Sequence, residues 1–429
     1  MPGCRVRSSW MRLGLVGCAA LGPWAGRRAP AEDPPAAPRP AAVAAVVPSD
    51  PAFAALLVDG TTVAGRLVGT DAAGGITLAE PAGGERTVPL DRLVKLARDG
   101  TPAPPVAAEG GIVLLPGGDR LAHCNIGAAG DATVDVLWES MGGRLAIPLD
   151  AMTALILSPP REPDATDALA AQIRAGAPAA EQLWLTNGDR LDGLFAGLTD
   201  KQVAFQPANG KVALPRSGVV ALAFNPAQVA EQPPAGPYLE WALLDGSRVG
   251  LDRSRVERGQ VIGRARFGGE VRFPVGEVAR ARVLGAGVEY LSDRDVDKVA
   301  YESYLGPTRP YRRGLSVAGT PLRLAGQVYD RGIGTQSRTL LAYRLGPKAR
   351  RFQATVGLDD AAGPLGSVRF KVLVDGKPRF ESPDMGAGDP PRAVDVAIEG
   401  GKALILITEF GARGDVQDSG DWAEARILQ

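Results

Sequence analysis

"FQATVGLDDAAGPLGSVRFKVLVDGKPRF", Phe352 to Phe380, decides how the C-terminal part of the chain is read. "RFKVLV" alternates polar and apolar residues with period two. It then meets Asp375-Gly376, a pair that tolerates positive φ and closes tight hairpins. Upstream, another strand-like run ends in Asp359-Asp360 and a Gly/Pro loop. Working outward, "RAVDVAIEGG" (Arg392–Gly401), "KALILITEF" (Lys402–Phe410) and "DSGDWAEARIL" (Asp418–Leu428) continue the β pattern, with Gly, Asp and Pro turns between them. Strands of this kind, spaced about 10 residues apart over about 140 residues, read as an antiparallel β-sandwich over residues 287–429.

Upstream of Gly287 the pattern changes to a repeat. Four segments open with an apolar strand and a Gly-containing turn: "LLVDG" from Leu56, "IVLLPGGD" from Ile112, "LWLTNGD" from Leu183 and "WALLDG" from Trp241. Each later reaches an apolar-Pro step, Val88-Pro89, Ile147-Pro148, Leu214-Pro215 and Phe273-Pro274. From the turn glycine (Gly60, Gly118, Gly188, Gly246) to that proline the offsets are 29, 30, 27 and 28 residues. A fixed offset held over four copies marks a repeated supersecondary unit. About 45 residues with four or five short strands suit a small bent barrel. The pattern is similar to Sm-like and SH3-like barrels. The repeats are expected at 53–100, 110–158, 181–226 and 238–285, with a helical linker at 159–180. That helix should run over Asp164–Ala175, with Asp164 or Thr166 as N-cap and Gly176 as its stop. The expected fold class is all-β: four tandem small barrel-like units followed by a jelly-roll sandwich.

Composition removes several functions. The chain has 429 residues, 48 basic and 48 acidic side chains, and no long basic run, so no electrostatic footprint for nucleic acid. It has one histidine, His123, and three cysteines, Cys4, Cys18 and Cys124. A Ser-His-Asp triad or a His-rich zinc site would have to rest on that one histidine. His123 and Cys124 read as ordinary strand positions, and the turn aspartates Asp59, Asp119, Asp189 and Asp245 as turn chemistry.

The N-terminus carries Arg5, Arg7 and Arg12, a short apolar stretch Leu13–Gly26 and a small-residue step Ala29-Pro30-Ala31. This is the order of an export signal over residues 1–31. A Pro/Ala-rich linker over 32–52 follows. "LVGC" ending at Cys18 also resembles a bacterial lipobox, which would attach a lipid there. The expected location is therefore exported: periplasmic, cell-surface or extracellular, with membrane attachment only through Cys18.

"YLSD" (Tyr290–Asp293), Gly332-Ile333-Gly334-Thr335-Gln336-Ser337, Val356-Gly357-Leu358-Asp359-Asp360, Phe370-Lys371-Val372 with Asp375-Gly376-Lys377, and Asp418-Ser419-Gly420-Asp421-Trp422-Ala423 follow in one order. In that order they resemble the NPCBM family of carbohydrate-binding modules. The resemblance covers roughly Gly287 to Gln429. It implies a galactose-binding-like jelly roll, a fold often attached to secreted glycosidases, and it implies glycan binding. Where the family commonly has His, this chain has Gln336, which still hydrogen-bonds a hydroxyl but has no ring to titrate.

Sugar recognition uses carboxylate and amide groups for hydroxyls and an aromatic face for the ring. The candidates are Gln336, Arg338, Asp359, Asp360, Asp421 and Trp422, with Tyr329 and Tyr343 behind them. Against this, Trp422 in a closing strand and Tyr343 in an alternating one read as core, Asp421 as a brace of the turn before it, and Arg338 as a solvated strand-end charge. For Asp359 and Asp360 three readings stand: a loop brace, a contact to a sugar, or a ligand of a structural calcium ion. Catalysis is disfavoured, because adjacent strand-end residues diverge and glycosidases need carboxyls about 5 to 9 Å apart across the sugar. The expected function is a non-catalytic exported carbohydrate-binding or cell-surface attachment protein, its repeats acting as a spacer or a platform for protein partners. Two alternatives are a structural scaffold whose sandwich has lost sugar binding, and an accessory part of a glycoside hydrolase system.

Overall fold

Glycine at positive φ closes the first hairpin of each repeated segment (Gly60 84°, Gly118 91°, Gly188 89°, Gly246 86°), where a side chain would strain the backbone. The computed structural model describes residues 51–100, 110–130, 132–176, 180–229, 236–285, 287–302 and 308–429. The export-signal and Cys18 readings lie outside the described residues.

The first segment runs Ala52–Leu57, Thr62–Thr70, Ile76–Ala79, Glu85–Val88 and Leu93–Arg98. The first four strands pair in sequence and the fifth returns to the first, with Phe53 opposite Arg98. The same five-strand plan recurs from Gly111 to Ile156, from Glu181 to Ala223 and from Tyr238 to Leu284. In each, a register shift breaks the pairing of the second strand with the third, for example between Leu67 and Gly69. Such a bulge bends the long strand, which lets so short a chain curl around its own core.

The units join through their last strands. Ala154, Leu155 and Ile156 of the second pair with Ala223, Leu222 and Ala221 of the third, and Ala97, Leu96 and Lys95 of the first pair with Arg280, Ala281 and Arg282 of the fourth. One apolar core runs through all four, and Trp138 of the second unit meets Phe273 of the fourth edge-on at 6.1 Å. The helix Pro163–Gly176 packs Ala170 and Ile173 over the sheet shared by the second and third units. It starts one residue before the expected Asp164, because Pro at the first helical position needs no N–H partner. Thr166 lies inside the helix, its N–H bonded to the Glu162 carbonyl and its hydroxyl to the Pro160 carbonyl, so it is not the N-cap. Cys124 is buried and burial pushes its thiol pKa well up, which leaves it unreactive.

From Val288 the chain forms two facing antiparallel sheets. One orders Arg312–Arg313, Gly332–Gln336, Ser419–Leu428, Arg351–Leu358 and Arg392–Ala397, with Val288–Tyr290 also on Ser419–Leu428. The other orders Lys298–Tyr301, Thr339–Arg344, Ala403–Phe410, Ser367–Val374 and Lys377–Glu381, with Met385–Gly386 also on Ser367–Val374. Between them lie Phe352, Phe370, Val372, Leu404, Leu406 and Trp422. "FKVLVDG" is the expected hairpin, closed with Asp375 and Gly376 at positive φ. The described residues are thus almost entirely β, with one α-helix.

Candidate functional site

The loop after Leu358 answers what Asp359 and Asp360 do. Asp360 accepts the backbone N–H groups of Ala325 (2.9 Å) and Gly326 (2.7 Å), both at positive φ in the turn between Leu322–Leu324 and Gln327–Tyr329. Asp359 accepts from Ala361 (2.9 Å) and Arg323 (3.2 Å). The two carboxylates hold the 322–329 hairpin onto the outer face of the first sheet, where Leu322, Leu324 and Tyr329 cover Ala423. Among the described residues no group of three or more His, Cys, Asp or Glu is arranged to hold a metal ion.

At this end of the sandwich lies a cleft of about 460 Å³. Its polar wall is Gln336, Asp359, Asp415, Gln417, Asp418 and Ser419, with Arg309 at its rim; Val317, Ala318, Ala361 and Ala362 form the apolar wall. Asp418 braces it, accepting from the Ser337 hydroxyl (2.8 Å) and the Ser367 N–H (2.7 Å). Burial pushes the Asp418 pKa up to about 6; those two hydrogen bonds oppose the rise and the Asp415 charge adds to it. Gln336 accepts the Arg309 N–H (3.2 Å), and Gln417 accepts the Leu365 N–H (2.9 Å). Carboxylates and amides with spare lone pairs around a concave surface suit a ligand rich in hydroxyl groups.

Of the six candidate residues, Gln336 and Asp359 line this cleft. The other four do not. Trp422 is fully buried between the sheets, edge-on to Phe370 at 5.0 Å, with its indole N–H on the Thr408 hydroxyl at 3.0 Å. It is a core residue, not a stacking platform. It alternates with Gly420 on the inward face of the central strand, where large apolar side chains are placed by burial. Arg338 is held by Glu302 (2.6 Å) and Glu409 (3.2 Å). Asp360 is occupied at the hairpin turn, and Asp421 is buried under the same hairpin. Tyr343 is buried in the core and Tyr329 in the hairpin contact. Arg309, Asp415, Gln417, Asp418 and Ser419 were not among the residues singled out from sequence. "DVQDS" (Asp415–Ser419) carried a signal, an acid- and amide-rich loop directly before the closing strand.

Known proteins place this domain. A protein of Renibacterium salmoninarum, provisionally named as an endo-alpha-N-acetylgalactosaminidase, is 31% identical over 110 residues, which is 26% of this chain and 7% of that protein. The chain thus spans well under a tenth of the curated relative it matches. Among solved structures, the CBM51 of Clostridium perfringens GH95 in complex with methyl-galactose is 26% identical; the match covers 33% of this chain and 99% of that one, at a TM-score of 0.31. The CBM51-2 and INT domains of Clostridium perfringens ZmpB, with GlcNAc, are 18% identical over 53% of this chain and 43% of that one, also at 0.31. Residues 287–428 match the NPCBM/NEW2 domain, so the C-terminal third of the chain is a domain of that carbohydrate-binding family.

Proposed function

We propose that this chain is an exported, non-catalytic glycan-binding protein. Its C-terminal sandwich takes a sugar in the cleft of Gln336, Asp359 and Asp418, and the barrel units serve as a spacer or a platform for protein partners. The observation that carries this reading is the cleft itself: polar side chains from three separate segments converge on one concave surface of an NPCBM domain. The sugars named with the C. perfringens structures, methyl-galactose and GlcNAc, are the first ligands to try. The test is a glycan array probed with the full chain, beside Gln336→Ala and Asp418→Asn. Retention of a galactose- or GlcNAc-terminated glycan, weakened in both variants, supports the reading. No retention on any glycan, or retention untouched by both substitutions, refutes it.

One observation favours a second reading. None of the described residues that line the cleft is aromatic, so none of them offers a ring to stack on the sugar's apolar face. A scaffold whose sandwich has lost sugar binding would look the same. It would recover a defined protein partner in a pull-down that free sugars do not compete.

A further inference from the structure

Both carboxyl oxygens of Asp421 are buried without a hydrogen-bond partner. This residue lies on the central strand Ser419–Leu428, fully buried, on the face opposite Trp422. Its cross-strand neighbours are Gly334 and Gly357, so no side chain stands directly opposite it on either neighbouring strand. The missing side chains let the chain descend onto the sheet. A Cβ at Gly334 would meet the Leu315 carbonyl oxygen at 2.4 Å, and one at Gly357 would meet Leu324 at 3.0 Å. Under this cover, no N–H or O–H donor reaches either Asp421 oxygen with hydrogen-bond geometry.

What faces it is another carboxyl. Asp359 lies against Asp421, Asp360 is the next acid, and the Arg323 backbone N–H nearby already donates to Asp359. An ionised carboxylate so enclosed and so paired is costly, and the group takes up a proton instead. Burial first, then the Asp359 carboxyl, push the Asp421 pKa well above its usual range, with the nearby Arg323 backbone N–H partly opposing the rise. The one O–H so formed has one acceptor in front of it, Asp359, whose oxygens also take the Ala361 and Arg323 N–H groups. That set of donors decides which Asp359 lone pairs remain for the cleft it lines.

We propose that Asp421 is a positioning residue of the cleft, a neutral acid that shares its proton with Asp359 and thereby orients the Asp359 carboxylate toward bound sugar. The proposal rests on the glycan-binding reading for its consequence, and on the Asp421–Asp359 contact for its chemistry. The protonated form of Asp421 is the competent one, so sugar binding is lost as pH rises far enough to ionise Asp421.

The experiment has two readouts on the full chain. The first is infrared difference spectroscopy of wild type against Asp421→Asn at neutral pH, with and without calcium. A protonated-carboxyl band present in wild type and absent from the variant is expected, unchanged by calcium. No such band, or a band that calcium abolishes, overturns the proposal, the second because a cation then replaces the proton. The other readout is methyl-galactose affinity against pH. Asp421→Leu, with no donor, should bind about tenfold more weakly, one hydrogen bond's worth. Asp421→Asn, whose amide still donates, should recover part of that loss and lack the alkaline decline. A wild-type alkaline decline that persists in Asp421→Asn overturns the proposal. If methyl-galactose binds neither protein, the sugar reading fails while the infrared band still decides the shared proton; if Asp421→Leu does not fold, the Asn arm decides.

Discussion

Arg282 Nη2 sits 2.7 Å from Asp330 Oδ1, joining the last strand of the fourth five-strand unit to the sandwich. Arg248 reaches Asp330 at 2.9 Å and Arg280 contacts it too, while Arg282 Nε also meets Glu240 at 3.0 Å and Arg331 meets Glu240 at 3.1 Å. Arg282 and Glu240 are almost wholly buried. Burial alone would raise the Asp330 pKa, but Arg280, Arg282 and Arg248 hold it well below the carboxylate range. Asp330→Asn keeps the size and removes the charge that balances three arginines. Breaking such a buried network should cost about 3–5 kcal/mol. Denaturant unfolding at pH 7 checks this, and a loss under 1 kcal/mol would contradict it. Because the folded pKa is lowered, this contribution is present above the unfolded value and fades only as pH falls through the folded one. The deficit of Asp330→Asn should therefore shrink in acid.

Trp422 gives a second test, separating core from ligand contact. Trp422→Ala removes a ring packed on Phe352 and Phe370 and leaves the Thr408 hydroxyl without that donor. The expected destabilisation is about 3–5 kcal/mol. Trp422→Phe should cost less and leave the sugar affinity of the folded protein unchanged. A Trp422→Phe protein that is as stable as wild type but fails to bind sugar would show that the ring contacts ligand.

The five-strand units and the sandwich differ from the cleft in how far sequence reveals them. Turn glycines and apolar-Pro steps are local signals, set by backbone geometry within a few residues, so the five-strand plan shows as spacing. The NPCBM domain is likewise marked by ordered motifs. Tertiary contact is what sequence hides. Trp422 and Asp421 are adjacent; the closing strand "DWAEARIL" points Trp422 to the core, but nothing local to it announces that Asp421 lies under the 322–329 hairpin. Asp418 looks like a turn residue until its contacts to Ser337 and Ser367 bring three segments together. Arg282 and Asp330 are 48 residues apart. The visible hint of that network is a lone acid, Glu240, within the apolar strand Tyr238–Leu243.

Asp119 makes stability depend on pH. It is buried where the second unit meets the fourth, accepting the Gly250 N–H at 3.0 Å. Burial, then the Glu240 charge, raise its pKa to about 7. The folded chain keeps this proton to about pH 7, whereas an unfolded aspartate releases it near 4. Between those values the folded state binds more protons, so stability declines as pH rises, by on the order of 4 kcal/mol in total from this group. Asp119→Asn should lose that decline. Unfolding midpoints of wild type and variant between pH 4.5 and 8 are the measurement, and parallel profiles would exclude the assignment.

Asp418 predicts the acid side of sugar binding. Its pKa of about 6 means that it is ionised above that pH and neutral below. Its oxygens accept from the Ser367 N–H and the Ser337 hydroxyl, and the residue lines the cleft. As a carboxylate it offers a charge-assisted acceptor, roughly twice as strong as a neutral one. Sugar affinity should therefore fall as pH drops through about 6, the opposite sense to the alkaline decline set by Asp421. The combined profile should be bell-shaped. Asp418→Asn should bind more weakly at pH 7, by about tenfold, and lose the acid limb while keeping the alkaline one. Calorimetric titration with the best-retained glycan between pH 4.5 and 9 measures both limbs. An acid limb that survives in Asp418→Asn would overturn the assignment to Asp418.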